Sequence, residues 1–206
     1  MVRRSSPGFV ACILLICSCK VGLNRSIHIQ EGRIVRASPK AINGSVFIGK
    51  DAKISGSCTS INGSVYVEAG ADFREALAVN GHVDLADSVF VHGTVTAVNG
   101  GVSAGRGTQI RKNIKAVNGP VELYGAHVFR SIRVSNGPVL ISDSSVVEGS
   151  IYIHEVRQPV TVTIARGSLV KGGVFVKDES SDVKLILESG GRVTGKLRNI
   201  QSVTDE

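Results

Sequence analysis

Apolar residues in this chain fall in short runs of two-residue period, and the runs recur on a longer, nearly constant period. Val65-Tyr66-Val67 and Val121-Glu122-Leu123 each place two branched apolar side chains on one side, as a strand with a single buried face requires. Shortly before such runs lies a second set, Cys58-Thr59-Ser60, Val95-Thr96-Ala97, Ile114-Lys115-Ala116 and Ile132-Arg133-Val134. Earlier still stands a lone apolar residue, at Val35, Ile54, Phe73, Val91, Ile110 and Val128. Val, Ile and Thr dominate these segments, and apolar runs of helical spacing are missing. Three short strands and three corners therefore make one unit.

Asn-Gly pairs mark the units. They occur at Asn43-Gly44, Asn62-Gly63, Asn80-Gly81, Asn99-Gly100, Asn118-Gly119 and Asn136-Gly137, in steps of 19, 18, 19, 19 and 18 residues. Asn24-Arg25 sits one step before the first as a degenerate copy. Such a period marks a stacked repeat in which each unit buries its apolar face against its neighbours. The expected fold is all-β: a single-stranded parallel β-helix, or β-solenoid, with coils of 18–19 and then 23 residues. Asn and Gly both tolerate positive φ, so each pair is expected at a corner, with Gly making the bend and the Asn side chain bonding neighbouring backbone. A meander of Asn-Gly hairpins would reverse after every turn, and the chain shows no such reversal.

The 23-residue period appears near the end. Val147-Glu148-Gly149-Ser150-Ile151-Tyr152-Ile153 matches Val170-Lys171-Gly172-Gly173-Val174-Phe175-Val176, and Val193 to Leu197 opens a third copy. Here His154 to Pro159 and Lys177 to Asp182 replace Asn-Gly, so one corner gains four or five residues. The expected organisation is an export signal over 1–19, a solenoid over 20–198 and a C-terminal tail over 199–206. Nine or ten coils at about 4.8 Å each give a rod roughly 45 Å long.

Residues 1–19 contain Arg3 and Arg4, then the apolar stretch Phe9 to Ile16, and no acidic group. A basic start followed by a short apolar stretch reads as an export signal and is too short to span a bilayer. Ile16-Cys17-Ser18-Cys19 resembles a bacterial lipobox. That resemblance implies lipidation of Cys19, and Lys20 after it implies the outer membrane. The membrane is then a partner through a lipid anchor. Cys58 is left as the one cysteine of the repeats, at a position expected to face inward as a small apolar side chain.

The formal net charge is +7, and its placement matters more than its size. Lys112 and Arg130 hold equivalent places in consecutive units, as do Lys115 and Arg133. Stacked about 4.8 Å apart, they form a basic stripe suited to an anionic polymer such as lipopolysaccharide or acidic polysaccharide. Nucleic acid is not expected as a partner, because the chain has no Trp and few other aromatics to stack on bases. The five histidines have no metal-ligand spacing, no nucleophile or phosphate-loop motif occurs, and Asp84, Asp87 and Asp143 read as scattered rim carboxylates. No catalytic residue, metal or cofactor is expected. A hexapeptide-repeat acyltransferase would need six-residue steps, as at Val79, Leu85, Val91 and Ala97, but most coils have 19 residues.

The Val-x-Gly-x-(Ile/Val)-x-(Ile/Val) units from Val147 and Val170 resemble those of the bactofilin, or polymer-forming cytoskeletal, β-helix. The Val-Asn-Gly-x-Val units at Val79 to Val83 and Val98 to Val102 resemble repeats of exported bacterial proteins. Together these cover about residues 23–198. The bactofilin resemblance implies a right-handed triangular helix that assembles end to end as a scaffold. The expected role is a non-enzymatic cell-envelope rod, outer-membrane-anchored or periplasmic. An anion-binding module is the alternative.

Overall fold

The computed structural model describes residues 21–154 and 156–205. The chain winds through three parallel sheets of ten, ten and nine strands, and each strand pairs with the one three strands later in sequence. The first face runs from Val21–Leu23 through strands such as Ala76–Val79 and Val95–Val98 to Leu197–Arg198. The second runs from Ile27–Ile29 to Ser202–Asp205, and the third from Ile34–Val35 to Arg192–Val193. Pairings are parallel and in register, as in Val83↔Val102 and Val91↔Ile110. The fold is the expected β-solenoid, and the hairpin meander is excluded.

Side-chain alternation explains the registry. Each strand turns every second residue inward, and these residues form one cluster along the whole rod, including Val46, Phe73, Val95, Ile114, Leu123, Ile141 and Leu185. Burying each branched side chain is worth about 1.5–3 kcal/mol, so a slip of one residue would expose an entire column. Cys58 lies in this core, fully buried, and burial pushes its thiol up to about 12. Val79, the first member of the six-residue series, faces outward beside Asn80 while Ala78 faces in.

The two short coils lose their residue at different corners. Phe73 pairs with both Ile54 and Val91, so the third coil is shortened between Phe73 and Ala76. Val121 to Val128 is likewise one residue shorter than Val102 to Ile110, so the other deletion lies between the second and third faces. The long coils put part of their extra length into strand: Val160–Ile164 and Val183–Leu187 pair over all five residues. Residues after 198, expected to trail off as a tail, instead add a strand, Ser202–Asp205, to the second face.

At the Asn-Gly corner the two residues exchange their expected roles. The seven corner asparagines Asn24, Asn43, Asn62, Asn80, Asn99, Asn118 and Asn136 have φ between 50° and 54°, whereas the glycines after them do not enter the left-handed region. Glycine is needed for a different reason: consecutive corners touch through backbone. A Cβ on Gly100 would collide with the Gly81 carbonyl, and one on Gly119 with that of Gly100. The Asn side chains bond one another, and only the last, Asn136, bonds neighbouring backbone as expected. Each Nδ2–H donates to the preceding Asn Oδ1, at 2.8 Å from Asn43 to Asn24 and 2.7 Å from Asn62 to Asn43, and so on to Asn136 at 3.1 Å. The Arg157 backbone N–H closes the ladder on Asn136 Oδ1 at 2.7 Å.

The residue two after each corner Asn completes the corner. Ser26 Oγ accepts from Ser45 N, Ser45 Oγ from Ser64 N, and Ser64 Oγ from His82 N. His82 Nδ1 then accepts from Gly101 N at 3.0 Å, so His82 carries its neutral-state proton on Nε2. Gly101 has no side chain to offer, and the next residue in the column, Pro120, has no N–H to satisfy. Pro138 follows with the same property.

Candidate binding surface

The outward residues of the third face form two neighbouring columns. One contains Lys53, Asp72, Phe90, Gln109 and His127 in direct register. The other, one residue beyond the inward position, contains Arg36, Ser55, Arg74, His92 and Arg111, followed by Phe129, Glu148 and Lys171. Contacts run along both. His92 Nε2 lies 2.8 Å from Asp72 Oδ1, and the His92 and Phe90 rings form a T-shaped pair with centroids 4.7 Å apart. The Arg111 guanidinium lies 5.0 Å from the Phe90 centroid and 4.2 Å from that of Phe129, within cation–π range. His127 stacks on Phe129 and bonds Glu148, which also pairs with Lys171 at 2.9 Å. The Lys171 and then His127 hydrogen bonds hold the Glu148 carboxyl below its usual range.

The stripe expected from sequence lies around the next corner. Lys115 and Arg133 are direct register partners on the first face, both exposed, and Arg133 reaches over the Tyr152 ring at 5.5 Å. Lys112 and Arg130 lie on the corner itself, exposed. Lys112 approaches Glu75 at only 4.0 Å, across the space above Gly93 where a side chain would strike Glu75. A contact that long between exposed groups contributes little. With Arg111, five basic residues occupy two consecutive rungs.

Two recesses accompany these features. One, of about 440 Å³, is lined by Lys53, Ile54, Ser55, Asp72, Arg74 and His92. It lies at the coil shortened between Phe73 and Ala76, and there the Arg74 N–H bonds Gly56 O at 3.2 Å, whereas Ser55 and His92 of the same column donate to the inward residues Val35 and Phe73 of the coil before. The other, of about 410 Å³, lies where the Asn ladder meets the first enlarged corner, between Asn118, Asn136, Pro138 and Arg157 to Val160.

The remaining sequence candidates disperse. Asp84 lies on the second face, half-buried, its carboxyl raised by burial more than His82 lowers it. Asp87 accepts from Arg106 N at 2.8 Å. Asp143, three rungs away, pairs with Arg166 at 3.1 Å. His28 stacks with Phe47, and Phe47 with Tyr66, at 4.5 and 5.0 Å between centroids. Among the described residues no three His, Cys, Asp or Glu side chains converge on a metal-sized site, and no helix is long and apolar enough to cross a membrane. Arg3, Arg4 and Cys19, with the rest of the expected export signal, lie outside the described residues.

Compared with protein-family models, curated proteins and solved structures, the chain finds no match. The arrangement of its own residues carries the functional argument. The column of Arg36, Arg74 and Arg111 escaped the sequence reading because Arg74 is six residues before its Asn, while the other two are seven before theirs. The single-residue deletion hides their alignment. Counting from the inward apolar residue, Val35, Phe73 and Ile110, would have revealed it.

Proposed function

We propose that the protein is a non-enzymatic rod of the bacterial cell envelope, exported by residues 1–19, anchored through lipidated Cys19 and acting as a structural scaffold or surface-interaction element. The observation that carries this reading is continuity. Three parallel sheets run the length of the chain, with an unbroken amide ladder over seven coils. That construction suits a stiff spacer whose length is set by coil number. The resemblance to bactofilins supports the scaffold role, and the lipobox resemblance supports the anchor. End-to-end self-association fits the last described coil, where inward-column Leu197 and Val203 are 43% and 51% exposed beside a strand edge with no partner among the described residues.

Fatty-acid labelling in a bacterial host tests the anchor: the protein takes up label and fractionates with membranes, and Cys19→Ser does neither. Light scattering on the purified protein tests the scaffold, with mass rising with concentration as rods join. A strict monomer at high concentration removes end-to-end assembly.

A second reading, recognition of an anionic envelope polymer, is favoured by the register pairing of Lys115 with Arg133 and the clustering of Lys112 and Arg130 beside them. Lipopolysaccharide or acidic-glycan binding that weakens with salt, and disappears when all four become Gln, supports it. Absence of binding at low salt ends it.

A further inference from the structure

We propose that the recess on the third face is a binding site for one residue of a linear acidic polysaccharide, a uronate polymer lying along the rod axis. This goes beyond the four-residue stripe, since the recess is built by other residues on another face.

The recess has the mixed chemistry such a sugar needs. Lys53 and Arg74 both line it as cations for a carboxylate, and Arg is suited to bidentate carboxylate recognition. Asp72 and Ser55 face the same space and accept hydrogen bonds from sugar hydroxyls. His92 bonds Asp72 at 2.8 Å, and an ionised carboxylate only accepts, so His92 donates through Nε2 and holds Asp72 in place. Ile54 lines it as the apolar surface for pyranose C–H groups. The volume of about 440 Å³ accommodates a sugar ring with room for its linkages.

Asp72 also decides which anion fits. A phosphate monoester dianion, with more negative charge and no hydroxyl on its phosphorus, meets the Asp72 carboxylate as a repulsive neighbour. A uronate places its single charge toward Lys53 and Arg74 and its hydroxyls toward Asp72. Beyond the recess, Arg36 on one side and Arg111 on the other lie in the column that contains Arg74. Neighbouring rungs are about 4.8 Å apart, so a chain following the axis meets a cation in both directions.

Calorimetry with hexagalacturonate at low salt, using the full chain, tests the site. Binding is expected, with no signal from a neutral galactan hexamer. Arg74→Gln weakens binding at least tenfold, and Asp72→Asn weakens it about threefold or more although it removes a negative charge. That sign is the decisive result, because a purely electrostatic surface binds more tightly when an acid is neutralised. Tighter hexagalacturonate binding by Asp72→Asn, unchanged affinity in Arg74→Gln, or no binding at all overturns the site. Changing Lys112, Lys115, Arg130 and Arg133 to Gln separates it from the corner stripe. Kd within about twofold of the parent assigns the sugar to the recess, whereas loss in this variant with Arg74→Gln unaffected assigns it to the stripe and refutes the recess. All these residues are exposed or half-exposed, and circular dichroism confirms that the variants fold.

Discussion

The coils from Asn24 to Asn136 and those from Ile151 to Asp205 share one core and differ at one corner. In the first group the corner is a ladder: each Asn bonds the next, each Gly rests on the Gly before it, and little room remains for side chains. In the second group the corner is local. Arg157 N caps the ladder, and in the following coil Ser180 N and Oγ both donate to Asp178. The inward columns pass from one group to the other without a break, as Val139↔Val162 and Ile132↔Ile151 show. The difference teaches that core registry and corner design are separable. The core fixes which residues face in, and the corner fixes how closely successive coils meet.

The largest test of that contrast is Gly100→Ala. If close backbone approach is what selects glycine, even a methyl group costs about 3 kcal/mol, the upper end of overpacking penalties, by urea denaturation. Gly190 is at φ 81° with its nearest heavy atom 4.0 Å away from an added Cβ. Gly190→Ala should cost only about 1 kcal/mol, from its backbone conformation. Equal costs at the two sites would mean that approach distance is not the distinction.

Next in size is the ladder itself. Asn99→Ala removes one amide bond on each side and puts Ala at positive φ, together worth about 2 kcal/mol. Asn199, at φ 57°, makes one side-chain bond among the described residues, to the Val176 carbonyl, so Asn199→Ala should lower Tm less. A larger drop at 199 would move the stability of the rod from ladder to end.

Acid sensitivity comes after these. The backbone N–H of Ser180, then its hydroxyl, hold the Asp178 carboxyl below its usual range. Its contribution is therefore complete above the ordinary carboxylate pKa and lost as pH falls through the lowered one. Asp178→Ala should lower Tm slightly at pH 7 and not at all in strong acid, and a deficit that persists in acid would assign the loss to packing.

The smallest effect is expected at Asp84, where the sign reverses. Burial raises this carboxyl, so ionisation opposes folding at neutral pH. Asp84→Asn should raise Tm slightly at pH 7, and the gain should vanish once Asp84 itself is protonated. A loss of Tm at pH 7 would show that the carboxylate is favourably placed after all.

The coil was readable in sequence because inward positions repeat in residue type as well as spacing: Val46, Val65, Val83, Val102 and Val121 all proved buried. The corner chemistry was read only halfway. Asn-Gly marks a turn, but letters alone do not say which residue takes positive φ and which avoids a neighbour. The strand Ser202–Asp205 carries none of the repeated motifs and is fixed only by pairing with Lys184 to Leu187. The recess was hidden because Lys53, Asp72, Arg74 and His92 come from three coils, one of which is a residue short.

The column Ser26, Ser45, Ser64, His82, Gly101, Pro120, Pro138 has a consequence for how such a rod could be rearranged. Each member must supply an acceptor if its successor carries an amide hydrogen, and need supply none if its successor is proline. The order is therefore a sentence with agreement between adjacent words. Transposing the Pro120 coil and the Ser64 coil would keep every inward apolar residue and every Asn-Gly. It would nevertheless leave the transplanted Ser64 amide facing Gly101 with nothing to receive it. Coils of the same length and core are not interchangeable bricks, and duplication of a segment is accommodated only where its two cut ends agree.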